Sequence, residues 1–141
     1  MLLELSVELN GYSVVIPLTM MNNVILGNGN TGKTFIFKKL REQVALGKIK
    51  GKFLFIDKEA VNNVQQIKKV YGDYLIVIDH FDAVRVKCPE IIGLLNKYKP
   101  QTLIFGRDVF DLPSNKHFVY FAECDDVEKW IKLRPLLPDC I

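Results

Sequence analysis

Gly27, Gly32, Lys33 and Thr34 stand at a spacing that suits one piece of chemistry, the capture of a phosphate chain. They lie in "VILGNGNTGKTFI", residues 24–36, where an apolar run gives way to three glycines, a lysine, a threonine and apolar residues again. Glycine costs folding entropy, so a cluster of it marks backbone that must turn or approach something closely. Successive N–H groups of such a loop form an anion nest, and a helix opening directly after it adds the partial positive charge of its N-terminus. In that arrangement Lys33 reaches the terminal phosphates and the Thr34 hydroxyl ligates Mg²⁺. Asn28, Gly29, Asn30 and Thr31 complete the loop; Gly29 permits close approach, and Asn30 tolerates left-handed backbone better than most side chains. At ordinary glycine usage of about 7%, this pattern arises by chance in well under ~1% of chains this long, so a coincidental glycine turn is the weaker reading.

A second stretch, "YLIVIDHFD" at 74–82, is an apolar run closing on Asp79. A carboxylate there can hold the magnesium across from Thr34, usually through water. His80 follows, and can act as a base or orient a water, although a hydrogen-bonded loop residue is the plainer reading. Arg107, in "IFGRD", can sense the terminal phosphate if its strand lies beside the other two. A surface pairing with Asp108 or Asp111 explains it as well. A rival site shares these residues, because Gly27, Gly29 and Gly32 also spell the dinucleotide (NAD) fingerprint, with Asp57 as the ribose acid. That motif gives Lys33 and Thr34 no role and leaves "YLIVIDHFD" unexplained.

The elements that must position these groups are legible from periodicity. Leu3, Leu5, Val7 and Leu9 alternate with Glu4, Ser6 and Glu8, and Asn10-Gly11 follows, so residues 1–20 form an antiparallel hairpin. From residue 24 the apolar runs lose their polar face: 24–26, 53–56, 74–78, 102–105 and 117–121. Such runs suit parallel strands covered on both sides. Helical stripes lie between them: Ile36, Leu40 and Val44; then Ala60, Val64, Ile67 and Tyr71, with Asp57 as cap and Gly72 as stop; then Ile91, Ile92 and Leu95 behind Pro89. The acidic start and the Val127, Trp130, Ile131 face of "DDVEKWI" predict a last helix within 122–141, with Trp130 in the core. Strand alternating with helix means an α/β fold.

Length and composition set the bounds. The 141 residues, 49% hydrophobic and 25% charged, match one globular domain, 1–141, with its α/β core at 21–121. A net charge of +3 does not by itself argue for nucleic acid, and "GKIKGK" at 47–52 reads first as a solvated turn. Cys88, Cys124 and Cys140 form no CxxC pair, which disfavours zinc and fits a reducing compartment. The opening "MLLELSVELN" carries glutamates inside its apolar run, unlike a signal peptide, and no stretch is long enough to span a membrane. The expected location is cytoplasmic.

Residues 24–36 and 74–82 resemble the Walker A and Walker B segments of P-loop ATPases of the additional-strand class. "NTGKT" is similar to the loop of AAA-type ATPases, and the hairpin leading into it resembles that of ABC- and SMC-like ATPases. "FIDKEA" at 55–60 is similar to the RecA-like stretch in which a glutamate past a strand activates water, which nominates Glu59; a first-turn helix acid is the plainer reading. The departures are His80 where many such ATPases carry a catalytic glutamate, no LSGGQ signature, and too few residues after 121 for an AAA lid. The resemblance implies a three-layer α/β/α fold with a mainly parallel sheet, its five apolar runs ordered 5-1-4-3-2. It implies ATP and Mg²⁺ as cofactors, and slow hydrolysis completed by a protein partner or a second copy. A nucleotide-dependent module without useful hydrolysis is the alternative. A small phosphotransferase is a third, but no arginine-rich lid segment is present.

Overall fold

The computed structural model describes residues 2–9, 11–20, 22–27 and 32–107, and the backbone of strands at 117–125 and 130–135. Strands β1 (Glu4–Leu9) and β2 (Tyr12–Pro17) pair antiparallel in a register that sets Leu9 against Tyr12. Gly11 takes φ 85 in the two-residue turn between them, where a hairpin needs left-handed backbone. β3 (Asn22–Leu26) leads to α1 (Lys33–Ala45), β4 (Phe53–Ile56), a 3₁₀ segment at Val61–Gln66, α2 (Ile67–Val70) and β5 (Leu75–Ile78). α3 (Phe81–Lys87), α4 (Glu90–Tyr98), β6 (Gln101–Gly106), β7 (His117–Asp125) and β8 (Trp130–Pro135) follow.

The order across the main sheet is β4-β5-β6-β3-β7-β8. The first five strands run parallel, and β8 runs antiparallel to β7. Pleating divides the core by alternate residues. Ile25, Val77 and Phe105 face a cluster formed with Ile36, Phe37 and Leu40 of α1 and with Leu5, Val7 and Ile16 of the hairpin. Val24, Ile76, Ile78 and Ile104 meet Val64, Ile67, Phe81, Val84 and Ile91 on the other side. The hairpin is therefore a sheet of its own that covers one face beside α1, making that layer part helix and part strand.

Long-range amide bonds fasten the hairpin down. The Gln101 side chain accepts from the Leu2 N–H and donates to the carbonyls of Leu2 and Thr19, tying both legs to the start of β6. On α1, buried Gln43 makes a matching pair with the backbone of Glu8, accepting at 3.1 Å and donating at 2.8 Å. Cutting Gln101 to alanine leaves three half-buried backbone bonds unmade, which costs about 1–3 kcal/mol. Gln101→Ala should lower the urea midpoint by that amount and strip amide-exchange protection from β1 and β2 first; even loss of protection across the whole chain would contradict it.

Two expectations are corrected, and one helix is new. Within 122–141, where a helix was expected, the described residues are strand: β7 continues to Asp125 and Trp130–Pro135 is β8. Apolar Ile131 and Leu133 alternate with Lys132 and Arg134, a period of two that prevails in a segment too short for several helical turns. The helix over Ala60–Tyr71 starts instead as a 3₁₀ segment, α-helical only from Ile67. Val61, Asn62 and Asn63 are poor helix formers, and the Asn63 side chain donates to the Phe55 carbonyl at 2.9 Å. Helix α3 was not anticipated, its apolar content being confined to one short turn. Among the described residues no helix is long and apolar enough to cross a membrane.

Candidate functional site

Because β3 to β6 are parallel, their carboxyl ends share one edge of the sheet. In register, Leu26 of β3 lies opposite Gly106 of β6, and Ile78 of β5 lies opposite Ile56 of β4. The next residues along these strands, Gly27, Arg107, Asp79 and Asp57, therefore line that edge. β6 stands between the glycine-loop strand and the strand ending at Asp79.

Gly32 takes φ 87, a left-handed turn that opens α1, and its carbonyl accepts the Ile36 N–H at 3.0 Å. No acidic residue occupies the first turn of α1, and Gly32 has no side chain with which to cap it. The helix dipole is thus left to act on whatever lies beyond the N-terminus. Lys33 folds back to donate to the Gly27 carbonyl. Burial, and then the positive charge of Arg107, hold the Lys33 ammonium below the usual lysine pKa, while Asp79 and Asp82 oppose them. An anion placed here would relieve both effects. Asn28, Gly29, Asn30 and Thr31 lie outside the described residues, as do Asp108, Asp111 and Cys140.

Asp79 is 2% exposed. Its carboxylate accepts from the Thr34 hydroxyl and from His80 Nδ1 at 3.1 Å. His80 Nε2 lies 3.5 Å from Thr34 Oγ1. Glu59 is exposed and lines, with Thr34, Asp79 and His80, a cleft of about 250 Å³ between α1 and the end of β4. Its N–H and that of Ala60 donate to Asp57 Oδ1, so Asp57 caps this turn. Arg107 is on the Lys33 side, exposed at the end of β6. The sequence reading missed Phe37 and Arg41, which line the cleft below Thr34. Their signal was there: 34, 37 and 41 share one helical face. Arg41 lies over the Phe37 ring and pairs with Asp57 at 3.3 Å.

The dinucleotide rival loses its ribose acid in this topology. A dinucleotide fold needs Asp57 on the strand beside the glycine loop. Here β4 is three strands away from β3, about 14 Å at the usual strand spacing.

No protein-family model matches the chain, and no curated protein matches it. Among solved structures it is similar to the flagellar accessory protein FlaH from Methanocaldococcus jannaschii, at 9% identity and a TM-score of 0.45, over 77% of this chain and 73% of that one. A likeness at that level leaves the residues themselves to carry the functional reading.

Burial raises the Asp79 pKa above its ordinary range, opposed by the His80 and Thr34 donors. A carboxyl that holds its proton more tightly folded than unfolded makes stability fall as pH rises from the ordinary carboxylate pKa to the raised one. Above that window the full cost of the buried charge is present. Asp79→Asn should therefore leave the unliganded fold at least as stable at neutral pH and flatten this part of the pH–stability curve. Urea unfolding across the window checks it; a variant that loses stability at neutral pH and gains it at low pH would reverse the sign.

Proposed function

We propose that the chain binds a nucleoside triphosphate with its divalent cation, Mg²⁺ in the ordinary case, and hydrolyses it slowly until a partner or second copy completes the site. The observation that carries this is the turn at Gly32. It opens α1 with no acidic residue in its first turn, brings the Lys33 ammonium to the Gly27 carbonyl, and sets Thr34 against a buried carboxylate at the end of a parallel strand. The interposed β6 is the layout of additional-strand P-loop ATPases, in which loop and cation carboxylate stand apart by one strand.

In this reading the loop from Gly27 to Gly32 cradles the phosphates, Lys33 and Arg107 offset their charge, and Thr34 and Asp79 hold the cation. That ion supplies charge neutralisation at the β- and γ-phosphates when bound. Asn/Thr-Lys-x-Asp, the guanine-reading pattern, is absent from the sequence, so ATP is the nucleotide of choice. Nothing follows Asp79 that resembles the usual catalytic glutamate, which favours a second reading as a nucleotide-sensing module. Glu59 on the wall of the cleft favours hydrolysis. The direct test is thermal: ATP with Mg²⁺ should raise the melting temperature in a concentration-dependent way, and NAD should not. A larger shift with NAD would reject the phosphate-loop reading.

A further inference from the structure

We propose that His80 is a direct ligand of the cation that accompanies the triphosphate, which makes the site prefer a first-row transition ion over Mg²⁺. The proposal rests on the nucleotide reading above and deepens it. His80 is a non-glycine residue with positive φ, at φ 49 and ψ 53. Such backbone is kept where the surroundings hold it in place, and it clusters at functional sites. Here it turns the imidazole across the end of β5 into contact with Asp79 and Thr34.

The proton inventory then decides what the ring offers. With Asp79 ionised and the ring neutral, His80 Nδ1, 3.1 Å from Asp79 Oδ2, donates to the carboxylate and Nε2 presents a lone pair. The Thr34 hydroxyl is shared between Asp79 and His80 Nε2, and its oxygen keeps lone pairs of its own. Two lone-pair atoms, His80 Nε2 and Thr34 Oγ1, are left side by side at 3.5 Å. That is long for an O–H···N hydrogen bond. It is close to the separation of two neighbouring ligands around one ion, ~3.0–3.4 Å when each bond is ~2.1 Å.

A carboxylate behind the far ring nitrogen is what orients imidazoles on metals, so Asp79 orients the His80 ring besides holding the cation through water. Among the described residues no cluster of three or more His, Cys, Asp or Glu side chains could hold a metal by itself. The rest of the coordination falls to phosphate oxygens and water, so ion and nucleotide bind as a unit. Mg²⁺ demands an oxygen octahedron and gains little from nitrogen, whereas transition ions accept imidazole readily.

The test uses the full chain with ATP and Mn²⁺ as the probe. Pulsed electron paramagnetic resonance should show histidine nitrogen coupled to Mn²⁺, with the coupling changed by ¹⁵N-histidine labelling and lost in His80→Asn. Asparagine accepts the left-handed backbone, so this variant keeps the turn, and a melting curve verifies it. The substitution should lower Mn²⁺-dependent ATP affinity by ~10–100-fold and Mg²⁺-dependent affinity by less. Lys33-dependent Mn²⁺–ATP binding with no nitrogen coupling, or with an equal loss for both ions, overturns the His80 ligand and leaves the nucleotide reading standing. Failure of ATP to bind with either ion overturns both.

Discussion

In Lys33→Ala, ATP and Mg²⁺ at a concentration that saturates the parent should raise the melting temperature by only about 1 °C, although the unliganded variant folds as before. The Lys33 ammonium is desolvated, stands near the Arg107 charge and is steadied by the Gly27 carbonyl. Such a cation costs the empty fold and is repaid only by an anion. Alanine is also the best helix former, so the first turn of α1 should not suffer. With a triphosphate bound, Lys33 makes charge-assisted hydrogen bonds of about 1.5–3 kcal/mol each. Two of them correspond to a loss of affinity on the order of a hundredfold or more. At a ligand concentration of ~100 Kd the parent gains about 2.7 kcal/mol, which falls to about 0.4 kcal/mol once Kd rises a hundredfold. For a chain of this length the parent shift is roughly 5–11 °C, and that of the variant should be near 1 °C. Differential scanning fluorimetry across an ATP series measures both. An undiminished shift in the variant would mean that the nucleotide binds away from this loop.

Glu59→Gln should cut single-turnover hydrolysis by about a hundredfold or more while ATP affinity holds, the size expected when a general base is lost. Glu59 sits just past β4 in a turn fixed by Asp57, and lines the cleft with Thr34, Asp79 and His80. In the proposed site, a carboxylate on that wall would take the proton of a water attacking the terminal phosphate. The parent itself should be slow, ~0.01 per second or less, against the 1–1000 per second of ordinary enzymes. Asp82→Asn is the comparison, because Asp82 is a carboxylate of the neighbouring α3 that does not line the cleft. If both variants match a parent that stays at background, the module reading replaces the ATPase reading. A parent turning over tens of times per second would contradict the slow-hydrolysis reading.

What the sequence determined here is local. Alternation at Leu3 to Leu9 and the glycine of Asn10-Gly11 specify a hairpin, because pleat and turn conformation depend only on neighbouring residues. The step from apolar run to glycines to helix at 24–40 specifies a strand that ends before the glycines and a helix that opens at Lys33, for the same reason. Tertiary structure decided what these pieces meet. Periodicity reports that a face is buried and is silent about its cover, so the hairpin's position over the sheet depends on Gln101 and Gln43, whose partners are 99 and 35 residues away. At 130–135, a helical stripe and a strand alternation were both readable, and pairing with β7 settled the strand. The strand order set Asp57 far from the glycine loop and Asp79 near Thr34, a choice that no local pattern contains. His80 shows the limit most sharply. Its type announced only a titratable ring, whereas the left-handed backbone, fixed by packing of β5 and α3, placed that ring against Asp79 and Thr34.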